Sequence, residues 1–212
     1  MTSLSKDAQK AHSILIYLAR LTTKFSTIHR TTLYHDGHPE SDVEHRFHLA
    51  LSATELAVQF HPELNSGLVS QFSTVHDLVE IYAGDTPSFK LTDEEILKKA
   101  RIEKVALEKL LNELPVYTAE LLKRYEAQQE PEARFVRLID KLLPPIIHTV
   151  AAEANHKPFF DIFDIQSVED LEVGNANVLQ RLKKQFPEFE LILLVRELTA
   201  QVSTETFAKL QN

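Results

Sequence analysis

The spacing of apolar positions predicts a chain built from helices. Leu4, Ala8, Ala11, Leu15, Leu18 and Leu21 recur at three- and four-residue steps with Lys6, Lys10 and Arg20 between them, which predicts an amphipathic helix over residues 5–24. A polar connection, 31–40, follows and carries the turn signal His35-Asp36-Gly37-His38-Pro39. Ser41 opens a second helix, with Ser41-Asp42-Val43-Glu44 as a capping box; it carries Phe47, Leu51, Leu56 and Val58 and ends near His61-Pro62. A third helix is expected over 68–82, stopped by Gly84 and barred from continuing by Pro87. The pattern then gives a long amphipathic stretch, 92–114, capped by Thr92 with Glu95, and after Pro115 another helix over 117–129. Pro131 is placed to start the next, which carries Phe135, Val136, Leu138, Ile139, Leu142 and Leu143 and meets a kink or break at Pro144-Pro145.

Residues 155–175 show no clear period. Phe159, Phe160, Ile162 and Phe163 make the segment too apolar for a free linker, so it is expected as a loop packed on the body. Helices over 177–186 and 188–210 complete the chain. No strand, internal repeat or low-complexity segment is predicted. The expectation is an all-α fold, one domain over 1–212.

Composition supports helices, because Gly, which loses most freedom in a helix, occurs only 4 times. A chain of 212 residues is long enough to bury a substantial core. There is no cysteine, so any metal must be held by imidazole and carboxylate, and disulfides are ruled out. The net charge of −8 opposes binding of a nucleic-acid polymer. No apolar run is long enough for a membrane span, and residues 1–10 are too polar for a signal peptide; a cytoplasmic location is expected.

Against that background His45, His76-Asp77 and Asp140 stand out. They lie on three predicted helices, 31 and then 63 residues apart, bedded among apolar neighbours such as Val75, Leu78, Leu138 and Ile139. Burying such groups is costly unless they are paired, and a shared cation would pair them. Imidazole and carboxylate suit Mn, Co, Zn, Fe and Ni alike. Glu80, four residues after His76, shares its helical face and can reach a bound water, and Asp85 can fold back after Gly84. Taken one at a time, each residue has a plainer reading. His45 can be a histidine near a helix cap, Asp140 a partner for Lys141 or Arg137, and Glu80 a solvated face. His48 is expected to pack nearby rather than to ligate.

Three blocks carry a resemblance: Glu40-Ser41-Asp42-Val43-Glu44-His45; the run from His76-Asp77-Leu78-Val79-Glu80 through Gly84-Asp85-Thr86; and Pro131 to Lys141, which contains Arg137-Leu138-Ile139-Asp140. In order and spacing they resemble the HD-domain metal-dependent phosphohydrolase superfamily, most nearly its 5′-deoxyribonucleotidase-like branch, over about residues 10–150, with less familiar helices over 151–212. The resemblance implies an HD-domain helical bundle. It implies one divalent metal (Mn, Co, Zn, Fe, Ni or Mg) on His45, His76, Asp77 and Asp140, and catalytic roles for Glu80 and Asp85. Arg30, fifteen residues ahead of His45, falls where a substrate-contacting arginine is expected. The implied activity is hydrolysis of the phosphomonoester of a (deoxy)nucleoside 5′-monophosphate or similar small phosphate ester by metal-activated water. Nucleotidases of that branch carry Trp directly after the arginine, whereas Thr31 stands here, a departure that bears on the base and sugar of the substrate.

The alternatives are a dinuclear HD-type oxygenase or phosphodiesterase, or a non-catalytic binding protein of the same fold. The dinuclear enzymes need further histidines between the His-Asp pair and the last Asp, and none occurs between Asp77 and Asp140. The expected partner is a small phosphate ester or nucleotide, with neither nucleic-acid polymer nor membrane, and homodimer formation is left open.

Overall fold

The computed structural model describes residues 5–86, 89, 92–155 and 164–211. The first helix, α1 (Lys6–Phe25), starts where Ser5 accepts a hydrogen bond from the Ala8 amide, as its apolar period predicted. A short antiparallel hairpin follows, β1 (His29–Leu33) with β2 (Pro39–Ser41). It corrects the expectation of no strand. Elements of five and three residues are too brief to show alternation, and the turn closes through Tyr34 and His38, with Gly37 at φ 87°, a conformation suited to glycine.

The hairpin leads straight into α2 (Asp42–Phe60), which opens on the expected capping box: Glu44 N donates to Ser41 Oγ and Ser41 N to Glu44 Oε2. The buried stripe of α2 is Asp42, His45, Leu49, Ala53 and Ala57, one residue every three or four, whereas Phe47, Leu51 and Val58 are exposed. Next, α3 (Ser66–Val75) is capped by Asn65. It does not run on to residue 82 as expected. Residues 76–79 form a turn before the single-turn α4 (Glu80–Ala83), which ends at Gly84 with φ 74°. Apolar period alone does not register this break, because Val75, Leu78, Val79 and Ile81 remain buried through it.

Thr92 caps α5 (Asp93–Glu113), again with a capping box, and α6 (Val116–Ala127) follows Pro115. Pro131 begins α7 (Pro131–Asp140), the centre of the core: Ala133, Phe135, Val136, Leu138 and Ile139 are fully buried, and the helix packs on both α2 and α3. The chain breaks after Asp140 and restarts as α8 (Leu143–Asn155), so Pro144 and Pro145 lie in a first turn, where missing N–H groups cost nothing.

The expected loop over 155–175 is corrected at its later end. Ser167 caps α9 (Val168–Gln185), its hydroxyl accepting from Asp170 N, with Glu169 and Asp170 favourably placed near the positive end of the helix. Gly174 and Asn175 look like loop residues in sequence, and the packed helix overrides that preference. Phe159, Phe160, Ile162 and Phe163 lie outside the described residues. The last helix, α10 (Glu190–Gln211), packs on α8 and α9. Among the described residues no helix is long and apolar enough to cross a membrane.

Candidate metal centre and its cavity

Three elements deliver four ligand-type atoms to one point. His45 lies one turn into α2, Asp140 is the last residue of α7, and His76-Asp77 occupy the turn after α3. One ligand atom from each of these four residues lies within 4.8 Å of the others. The turn explains how adjacent residues serve one site. Here Leu78 N bonds Val75 O and Glu80 N bonds Asp77 O, three-residue steps that wind the chain more tightly than an α-helix and re-aim its side chains.

The local bonding fits a cation. His76 Nδ1 is 2.9 Å from Ser73 O, and since a carbonyl only accepts, the ring proton is on Nδ1. In the neutral ring that leaves a lone pair on His76 Nε2, which is buried, has no hydrogen-bond partner, and lies 2.8 Å from Asp77 Oδ2. Two acceptors that close repel unless a proton or metal ion lies between them, and a ring N–H held by a backbone carbonyl is the usual support for a ligating histidine. His45 Nε2 is 3.0 Å from Asp140 Oδ1, and its other nitrogen is 3.4 Å from Glu40 Oε2. Lys141 Nζ is 2.6 Å from Asp140 Oδ2.

Arg30, brought in by β1, is the cation at the centre of this acidic group. Its Nη1 lies 2.9 Å from Asp77 Oδ2, 3.8 Å from Asp42 Oδ1 and 3.9 Å from Glu80 Oε2, and its Nη2 is 3.9 Å from Asp140 Oδ1. Burial works to lower its pKa, but Asp77, Asp140, Asp85 and Glu80 together raise it. The carboxylates divide. Burial disfavours ionisation of Asp77 and Asp140, yet His76 and Arg30 hold Asp77, and Lys141 and His45 hold Asp140, below the usual range. Burial, with Asp77, Asp42 and Asp85 adding to it, pushes Glu80 up to about 11, so that it carries a proton at neutral pH. Burial and Asp77 likewise push Asp42 up to about 7, and burial raises Asp85.

A cavity of about 660 Å³ opens over this group, a size suited to a small organic ligand. Arg30, His76, Asp77, Glu80, Asp85 and Asp140 all line it, so the residues singled out in the sequence meet in one place, with His45 buried beneath. His48 is outside the ligand group. Sequence reasoning missed Glu40 and Asp42, both fully buried and facing Arg30, although they lie in the same block as His45. It also missed Phe89, the aromatic residue whose ring packs against Gly174 on the cavity wall.

Residues 23–183 match the family model of the HD domain. The chain belongs to the HD-domain family. Among its relatives, human 5′-deoxynucleotidase HDDC2 is 27% identical over 217 residues, an alignment spanning 98% of this chain and 95% of that protein. The 5′-deoxynucleotidase hdd1 of Schizosaccharomyces pombe is 32% identical over 145 residues, spanning 64% of this chain and 70% of that one. This HD-domain chain also shares its fold with the crystal structure of a predicted metal-dependent phosphohydrolase from Magnetospirillum magnetotacticum. The TM-score is 0.71 at 24% identity, over 96% of this chain and 97% of the other.

Proposed function

We propose that this HD-domain protein is a metal-dependent phosphohydrolase that hydrolyses the phosphomonoester of a deoxynucleoside 5′-monophosphate or similar small phosphate ester. One observation carries the reading: four ligand-type atoms converge within 4.8 Å in a buried, HD-type setting that opens on a ligand-sized cavity. The names of the human and fission-yeast relatives support the nucleotide substrate.

His45, His76, Asp77 and Asp140 would hold one divalent cation. When bound, such a cation stabilises charge on phosphoryl oxygens and makes coordinated water acidic enough to ionise near neutral pH. The remaining chemistry belongs to the chain. Arg30 offers a planar, fixed cation to the phosphate oxygens, and a guanidinium held among carboxylates loses little freedom when it turns to a new acceptor. Glu80 carries a buried proton in position to protonate the departing alkoxide, and Asp85 assists at the same wall. Side chains of α5, α8 and α9 wall the cavity around the ester.

The test is phosphate release from a panel of small phosphate esters, deoxynucleotides included, with Mn²⁺, Co²⁺, Zn²⁺, Ni²⁺ and Mg²⁺ in turn. Turnover that depends on added metal and favours deoxynucleoside 5′-monophosphates supports the reading. No release with any metal would overturn it.

A further inference from the structure

The wall of the cavity built by α9 and α10 holds a second buried cation, and among the described residues no carboxylate neutralises it. Arg196 is 1% exposed. Its Nη2 donates to Asn175 Oδ1 at 2.7 Å, while Arg196 Nε and Nη1 and the Asn175 side-chain nitrogen are buried without any hydrogen-bond partner. Among the described residues no carboxylate pairs with Arg196, and burial lowers its pKa only to about 10, so it stays charged at neutral pH. A buried guanidinium without an acceptor is costly to keep, and so is a buried amide N–H₂. The unmet atoms of this pair are all donors. Both residues line the same cavity as Arg30, Asp77 and Glu80.

We propose that Arg196 and Asn175 anchor the non-reacting end of the substrate by taking a group that presents only acceptors. This rests on the phosphohydrolase reading above for the reacting end. The Arg196–Asn175 bond occupies the amide oxygen and leaves the amide nitrogen and the Nε and Nη1 donors to be met by one ligand. Two sources share the required chemistry: the carbonyl-bearing edge of a nucleobase, such as guanine with its O6 and N7 acceptors, or a second anionic group on a sugar phosphate. Adenine, which presents an amino donor beside N7, fits a donor-only site poorly.

Calorimetry separates the sources without relying on turnover. Deoxyguanosine is compared with deoxyadenosine, and, with chelator present, fructose 1,6-bisphosphate with fructose 6-phosphate, on wild type, Arg196→Gln and Asn175→Asp. In the wild type one pair should differ by about tenfold or more in Kd, and both variants should erase that difference. Asn175→Asp also serves as the folding control, because its carboxylate neutralises Arg196 and should raise Tm while closing the anchor. If the wild type discriminates within neither pair, or Asn175→Asp keeps the discrimination, Arg196 is only a tie between α9 and α10 and the proposal fails. Failure of phosphate release from every ester would overturn the hydrolase reading and leave the binding difference standing, so the two claims fail separately.

Discussion

Arg30 Nη1 lies 2.9 Å from Asp77 Oδ2, so a buried guanidinium is bonded to the same carboxylate that faces His76 Nε2 at 2.8 Å. A cation at the ligand cluster and Arg30 therefore share Asp77, and each weakens the other's hold on it. Arg30→Ala should tighten binding of Mn²⁺, measured by calorimetry, because a competing positive charge is removed. The same variant should raise KM for every phosphate substrate by about ten- to a hundredfold, the worth of a charge-assisted hydrogen bond. An unchanged KM across the panel would show that Arg30 serves the carboxylates alone.

Glu80 should act on protons rather than on metal. Glu80→Gln keeps the shape of the side chain but can no longer give up or accept the proton, and kcat is expected to fall by about 10²–10⁴. Metal content and Tm should stay near those of the wild type. A variant that loses its metal would make Glu80 a ligand.

The folding of the metal-free protein should depend on pH in a definite direction. Asp42 is raised to about 7, Glu80 to about 11 and His45 to about 9, the last because Asp140 and Glu40 outweigh burial and Arg30. Each group binds its proton more tightly folded than unfolded. Its contribution is thus complete below the unfolded pKa and is lost as pH rises toward the folded one. With chelator, Tm should fall between pH 5 and pH 9; with excess Mn²⁺ the fall should shrink or reverse, because metal favours the deprotonated ligands. A metal-free Tm that rises across this range would contradict the assigned proton positions.

The cavity wall at Phe89 and Gly174 has its own test. A Cβ added to Gly174 would meet Phe89 Cζ at 2.8 Å, so Gly174→Ala sets a helix-propensity gain of about 1 kcal/mol against displacement of the ring. The substitution should be neutral or destabilising in the wild type and stabilising in a Phe89→Ala background. The same sign in both backgrounds would mean that the ring moves freely.

The candidate metal ligands were legible in the sequence because their cost is legible: ionisable side chains among apolar neighbours are unusual, and four of them recurred at three separated places, His45, His76-Asp77 and Asp140. Helix starts were legible for a similar reason, since Ser41 and Thr92 each carry a Glu three residues on. What escaped was geometry that leaves no period. The 76–79 turn keeps the apolar pattern of a continuous helix, and the hairpin holding Arg30 is too short to alternate. Glu40 and Asp42 flank the capping Ser41 in sequence, and nothing there shows that Arg30 comes from β1 to face them. Arg196 gave no sign in sequence, because nothing there shows that Asn175, on another helix, is its partner.

Elemental analysis of protein purified without chelator, for the wild type beside His76→Ala and Asp140→Ala, decides whether these side chains hold a metal. About one divalent cation per wild-type chain should be found, and it should be lost in both variants while circular dichroism shows that helices persist. Full metal content in both variants would contradict the assignment of His45, His76, Asp77 and Asp140 as the metal centre.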